Sequence, residues 1–348
     1  MVTRVGINGF GRIGRMCLRA SLDRRDLQVV AVNGTTAAQD AARLLKYDSV
    51  HGKLECSVTA LDHELIVDGR PIQFIADRDA RNLPWEKLGV DVVIEATGKF
   101  NSGRDCQVHL QNGAKKVIIT APAKDDIPTI VMGVNEAIYD PVNHHVVSNA
   151  SCTTNCLAPV VNVLHKVFGI ENGMMSTVHA FTTDQRSLDN SHKDPRRARA
   201  CTQSIVPTST GAAKLIGKVI PELAGKLHGV AFRVPVPDVS LVDLVVELSR
   251  RADAPAINAA LQEAAATYMR GIIEYCEEPL VSIDFLDNSH SAIVDALSTM
   301  VIRERTAKVL AWYDNEWGYS CRVIDLAAYI GARLEQQNEL TGCSQIAC

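Results

Sequence analysis

Two apolar patterns alternate along the first 150 residues. Short aliphatic runs read as buried strands: Arg4-Val5-Gly6-Ile7-Asn8, Leu27 to Asn33, Val90 to Gly98, Lys115 to Pro122, Ile130 to Val134 and His145 to Ser148. Runs of this kind, interleaved with helical periodicity, predict βαβ units and a parallel sheet. Cys56 to Ala60 and Glu64 to Val67 read as two further strands, with Asp68-Gly69 as the turn. Leu157 to Phe168 carries helical spacing, and Met174 to Phe181 reads as a buried strand ending at His179. The texture then changes. Thr182 to Arg199 is polar with little periodicity, a length that usually marks a functional or interface loop. Val230 to Pro235 and Ser240 to Leu248 are expected strands, Pro255 to Arg270 a helix, and Ser291 to Val301 and Lys308 to Tyr313 late strands. Asp314 to Tyr319 is a turn before a final helix from Cys321 to Gln336.

A chain of 348 residues has room for two domains. Its net charge of −4 gives no general electrostatic case for nucleic acid, and no apolar run reaches membrane-span length. The N-terminus lacks a signal-peptide pattern, and the ten cysteines show neither a disulfide framework nor zinc spacing. Reduced thiols in a cytoplasmic compartment are the expectation, with no metal site.

Three stretches carry chemistry. Gly9-Phe10-Gly11-Arg12-Ile13-Gly14 follows the first strand and opens a helix. In that context glycines permit a tight turn, close approach of a pyrophosphate and close helix–strand packing. About 20 residues on, a dinucleotide enzyme using NAD normally carries an acid for the ribose hydroxyls. This chain has Gly34-Thr35-Thr36, so a repulsion against a 2′-phosphate is absent and the sequence leans towards NADP. Arg78 could reach the same adenosine end. The second stretch is Ser148-Asn149-Ala150-Ser151-Cys152-Thr153-Thr154-Asn155-Cys156. Ser and Thr are good helix caps, which places Cys152 at a helix N-terminus, where a thiolate is favoured. With His179 it could form a nucleophile and base; a buried cysteine and a core histidine is the competing reading. The third is Ser204 to Lys214, a Thr/Gly turn opening a helix, able to hold an anion. Arg233, mid-strand among apolar residues, requires either an anionic ligand or a salt bridge.

These residues together resemble phosphorylating glyceraldehyde-3-phosphate dehydrogenase. Ile7 to Arg15, Ser148 to Asn155, His179-Ala180, Thr208 to Lys214 and Trp312 to Tyr319 match its signatures, over roughly residues 2 to 333. The resemblance implies a Rossmann domain over 1–150, completed by the C-terminal helix at 319–336. It implies an α+β catalytic domain with a mixed or antiparallel sheet over 151–318, a tail at 337–348, and a homotetramer. The implied reaction is reversible oxidative phosphorylation of glyceraldehyde 3-phosphate to 1,3-bisphosphoglycerate. Cys152 is the nucleophile and His179 the base. Thr182 and Arg233 would bind the substrate phosphate. Ser151, Thr153, Thr210, Gly211 and one of Arg196 and Arg197 would bind inorganic phosphate. Asn8 to Ile13, Gly34, Thr35, Arg78, Thr97, Gly98, Thr120, Ser191, Asn315 and Tyr319 would meet the cofactor.

Departures from NAD-specific members, at Gly34 and at Asn190-Ser191, resemble NADP-using relatives. NADP preference or dual use follows, in an anabolic role such as gluconeogenesis or carbon fixation, with Ser191 supplied by a neighbouring subunit. Erythrose-4-phosphate dehydrogenase is the alternative within the family, and a redox-sensing or RNA-binding protein the alternative outside it. Cys343 and Cys348 in the tail suggest a regulatory disulfide by analogy with tailed relatives.

Overall fold

The computed structural model describes residues 2–346, with side chains through Gln337, so Cys343 and Cys348 lie outside the described side chains. Two compact units form. One comprises Met1–Ile130, Ala137–Ala150 and the chain from Ser320 onward; the other comprises Val131–Glu136 and Ser151–Tyr319.

The first unit is built on ten strands: β1 (Thr3–Asn8), β2 (Leu27–Asn33), β3 (Tyr47–Asp48), β4 (Gly52–Lys53), β5 (Val58–Leu61), β6 (Glu64–Val67), β7 (Arg70–Ile75), β8 (Val92–Glu95), β9 (Lys116–Ile119) and β10 (Val146–Ser148). Helices α1 (Arg12–Ser21), α2 (Ala38–Lys46) and α3 (Gly103–Gln111) connect them. The main sheet runs β10-β9-β8-β1-β2-β7-β6-β5. It is parallel from β10 to β7 and antiparallel beyond. The strand order reverses between β1 and β8, the switch point at which a doubly wound sheet opens a crevice. Near-continuous burial of β1, β8 and β9 explains their aliphatic runs.

Two strand expectations change. Val90 to Gly98 pairs only over Val92–Glu95. The Glu95 carboxylate accepts the Thr97 backbone N–H at 2.8 Å, and Gly98 has φ +70°, so the chain leaves the ladder there. Ile130 to Val134 is no strand: Ile130 and Val131 are fully buried, but Gly133 at φ +82° turns the chain. Glu64 to Val67 and the Asp68-Gly69 turn are as expected, but the strand the turn leads into, β7, and the short pair β3–β4 were not legible in the periodicity.

The second unit holds β11 (Ile170–Ala180), β12 (Val206–Ser209), β13 (Leu227–Val234), β14 (Ser240–Leu248), β15 (Ile273–Cys276), β16 (Ala292–Ile302) and β17 (Thr306–Tyr313). Its sheet is mixed, in the order β12-β13-β11-β14-β17-β16-β15. Helices α4 (Cys152–Phe168), α5 (Ala212–Val219) and α6 (Ala254–Ala266) cover one face. Along β14 and β17 buried and half-buried residues alternate strictly, the period-2 mark of a sheet with one open face. A last helix, α7 (Trp317–Ile346), returns to the first unit from Ser320. The chain is thus α/β with one parallel-type and one mixed sheet. No described helix is long and apolar enough to cross a membrane.

Candidate active site

In the first unit a cavity of about 400 Å³ opens at the C-terminal ends of β1, β2 and β8. Asn8, Gly9, Phe10, Gly11, Gly34, Thr35, Arg78 and Thr97 all line it. Two of the three glycines leave no room for a side chain. Gly9 has φ +100°, and a Cβ there would sit 2.6 Å from Ala96. A Cβ on Gly14 would sit 2.0 Å from the Gly9 carbonyl oxygen, so α1 packs directly on the turn. Gly11, the N-cap of α1, offers no side-chain cap, and a Cβ there would meet only open space. The first N–H groups of a ten-residue helix therefore face an open cradle, and that fits a pyrophosphate. Arg12 and Ile13 form the first turn, Arg12 reaching Asp48 at 2.6 Å. Thr120 turns its hydroxyl back onto the Glu95 carbonyl at 3.0 Å.

The side of the cavity at the end of β2 is cationic rather than acidic. Gly34 is buried, while Thr35 and Arg78 are exposed. Arg78 has no ion-pair partner among the described residues. The acid lining the cavity, Asp77, is committed elsewhere: its carboxylate accepts from the Asp79 backbone and the Asn82 side chain at 2.8 and 2.9 Å.

In the second unit Ser151 caps α4, its Oγ accepting the Thr154 N–H at 3.1 Å, so Cys152 is the first residue of the helix. β11 delivers His179 with Nε2 3.5 Å from Cys152 Sγ. His179 Nδ1 lies 2.7 Å from the Ala180 carbonyl oxygen. A proton placed there leaves the Nε2 lone pair facing the thiol. Arg233 Nη1 sits 2.9 Å from both Nδ1 and that carbonyl; a guanidinium only donates, so with the proton on Nδ1 its hydrogen bond goes to the carbonyl oxygen. The Tyr313 hydroxyl bridges Thr153 and Thr177 at 2.8 and 2.9 Å, with its ring edge-on to His179. It thereby ties helix start to strand end.

Electrostatics correct one expectation. The helix start does not leave Cys152 a ready thiolate: burial pushes the thiol above its ordinary value, and the Arg233 charge and Thr153 hydrogen bonds only partly offset it. Burial, then the Arg233 charge, pushes His179 down to about 3. Both shifts favour the neutral forms, a thiol and an uncharged imidazole.

Anion-binding groups surround this pair. Arg233 is half-buried, and its Nε has no partner among the described residues. Arg197 is held by Asp184 at 2.5 Å and Thr208 at 3.0 Å, and its charge is felt at His179. Arg196 is exposed and reaches only the Pro207 carbonyl, at 3.4 Å. Thr182 follows β11, its N–H 3.4 Å from Gln185 Oε1. Thr210 and Gly211 open α5, with Thr210 Oγ1 accepting the Ala212 N–H. Thr153 points its hydroxyl into the core, towards Tyr313. Asn315 accepts from Ser240 Oγ at 2.5 Å, and Ser240 in turn accepts the Ala180 N–H. Tyr319 is buried, and Ser191 is exposed on the polar loop.

Sequence reasoning missed Tyr313, Ser240, Asn33 and Lys99. Tyr313 and Ser240 look like ordinary strand residues. Only pairing across β11, β14 and β17 shows that they support His179 and Asn315. Asn33 and Lys99 sit at strand ends beside the cavity, where polar residues carry a detectable signal.

A glycine-rich dinucleotide cradle and a thiol–imidazole pair ringed by arginines define a nicotinamide-dependent oxidoreductase. The family models described as "Glyceraldehyde 3-phosphate dehydrogenase, NAD binding domain" and "Glyceraldehyde 3-phosphate dehydrogenase, C-terminal domain" match residues 3–103 and 151–315. The chain is 55% identical over 335 residues to glyceraldehyde-3-phosphate dehydrogenase 2 of Bacillus subtilis (strain 168), spanning 96% of this chain and 98% of that one. It is 57% identical over 333 residues to glyceraldehyde-3-phosphate dehydrogenase of Geobacillus stearothermophilus, spanning 96% and 99%. The chain belongs to the glyceraldehyde-3-phosphate dehydrogenase family.

Proposed function

We propose that this enzyme oxidises and phosphorylates glyceraldehyde 3-phosphate with NADP as its preferred or dual cofactor, alongside NAD. The observation that carries the catalytic reading is Cys152 Sγ 3.5 Å from an imidazole nitrogen whose ring is oriented from its other side. Cys152 gives its proton to His179 Nε2 as sulfur bonds to the aldehyde carbon. Arg233 and Thr182 hold the substrate phosphate, which satisfies the open Arg233 Nε. His179 returns that proton to the alkoxide oxygen, giving the hemithioacetal hydroxyl, and takes it back as a hydride leaves the same carbon. The nicotinamide supplies the hydride acceptor when bound. The Cys152 backbone N–H, at the start of α4, steadies the oxygen during both additions. Inorganic phosphate, held by Ser151, the Thr153 backbone N–H rather than its inward-facing hydroxyl, Thr210, Gly211 and Arg197, attacks the thioester carbonyl, releasing the Cys152 thiolate and an acyl phosphate.

The NADP reading is supported by buried Gly34, the unpaired Arg78 and the engaged Asp77 carboxylate. Asn315 would hold the carboxamide with Tyr319 nearby. An anabolic direction follows from NADP use. A cofactor domain over 1–150 and a catalytic domain over 151–318 are supported by the two compact units, which differ from that division in placing Val131–Glu136 in the second. The open sheet face of the second unit, with Met174 74% exposed and Leu297 60% exposed, supports a homotetramer. Cysteines that stand as thiols rather than disulfides among the described residues support a reducing, cytoplasmic compartment.

Initial rates with glyceraldehyde 3-phosphate and phosphate, titrating NADP and NAD separately, test both parts. A higher kcat/KM with NADP is expected. A higher value with NAD overturns the cofactor reading, and a Cys152→Ser enzyme that retains activity overturns the mechanism.

A further inference from the structure

Beneath the dinucleotide cavity lies a buried polar chain that touches neither sulfur nor substrate. Glu95 closes β8 and is 1% exposed, yet four donors converge on its carboxylate. Oε1 accepts the Thr97 backbone N–H at 2.8 Å and the Thr97 hydroxyl at 2.5 Å. Thr97 Oγ1 itself accepts the Lys99 N–H, so its own proton is directed at Glu95. Oε2 accepts Asn8 Nδ2 at 2.6 Å and lies 3.0 Å from His109 Nε2. His109, on α3, is fully buried, and the Trp85 indole N–H donates to its Nδ1 at 3.1 Å. An indole N–H only donates, so Nδ1 is the acceptor and Nε2–H points at Glu95. The chain continues from Asn8 to Asn33, whose Nδ2 donates to Asn8 Oδ1 at 2.8 Å.

Two of the groups fixed by Glu95, Asn8 and Thr97, line the dinucleotide cavity. A buried carboxylate is costly unless its hydrogen bonds are complete, and a core needing only stability would use apolar residues here. We propose that Glu95 and His109 are positioning residues for the cofactor. His109, braced by Trp85, aims the Glu95 carboxylate, and Glu95 sets the Asn8 amide and the Thr97 loop in the orientation the dinucleotide meets. This role rests on the dinucleotide reading of the cavity.

The test is the affinity of the purified full chain for NADP and NAD, read by calorimetric titration without substrate. Melting temperature and the rate of Cys152 alkylation are measured on the same samples. His109→Leu and Glu95→Gln are expected to weaken dinucleotide binding about tenfold, the scale of losing a charge-assisted buried hydrogen bond. Alkylation of Cys152 is expected to stay unchanged. His109→Gln keeps one donor and one acceptor and is expected to recover most of the affinity. Wild-type affinity in Glu95→Gln and His109→Leu, even with lowered melting temperature, overturns the role, as does equal loss in His109→Leu and His109→Gln. If His109→Leu does not fold, Glu95→Gln against His109→Gln decides. A wild-type chain that binds neither dinucleotide overturns the functional reading and this role together, whereas loss confined to the variants supports both.

Discussion

At the scale of single residues, position relative to His179 separates side chains that look interchangeable in sequence. Arg196 and Arg197 are neighbours, but only Arg197 is clamped by Asp184 and Thr208. Arg197→Ala should therefore raise the KM for inorganic phosphate at least tenfold, while Arg196→Ala changes it about twofold or less; phosphate-dependent initial rates decide. Arg233 acts on both members of the couple. Its charge pulls the Cys152 thiol down and pushes His179 down, so Arg233→Leu should move both upward. At a fixed pH near neutral the thiolate fraction then falls, and alkylation of Cys152 should slow several-fold and need a higher pH to recover. Arg233→Lys should restore most of the rate, because it keeps the charge. Cys152 and His179 were legible because local signals, a Ser/Thr cap and an aliphatic strand, placed them at element ends. Glu95, His109 and Tyr313 were not. Each is a polar residue in a buried position, and apart from Thr97 beside Glu95 its hydrogen-bond partners lie 14 to 160 positions away.

At the scale of elements, the parallel strands and α1 were legible because burial on both faces enforces aliphatic runs and because the glycine turn has one workable geometry. Gly14 makes this quantitative. Its missing Cβ lets α1 rest on the Gly9 carbonyl. Gly14→Ala should therefore cost about 1–3 kcal/mol of stability by chemical denaturation, with loss of dinucleotide binding beyond that. Strand ends were less legible. β8 stops where the Glu95 side chain captures its own following N–H, a competition that apolar periodicity does not register. β7 escaped notice although β6 and its Asp68-Gly69 turn were read, because Arg70-Pro71 opens it with exposed residues that interrupt the apolar alternation.

At the scale of the whole molecule, the open face of the second unit's sheet is the feature an isolated chain leaves unexplained. Met174, Val178, Leu297 and Met300 are exposed there, and Lys308 pairs with Asp243 among them. Native mass measurement should find a tetramer. Met174→Glu should shift it to a smaller species without unfolding the chain, since the side chain is exposed. A tetramer unchanged by that substitution would place the interface elsewhere, and a monomeric wild type would remove the homotetramer from the functional reading. The return of α7 has a different consequence, one of timing. Arg24 binds Asp325 across 301 positions, and Gly331 packs so closely on Thr3 that a Cβ would lie 1.8 Å from its hydroxyl. During synthesis the first unit is therefore the first to begin and the last to close, because its final layer leaves the ribosome after the second unit is complete. A nascent chain arrested near residue 318 would carry the thiol and its base, with the first sheet still uncovered where α7 belongs.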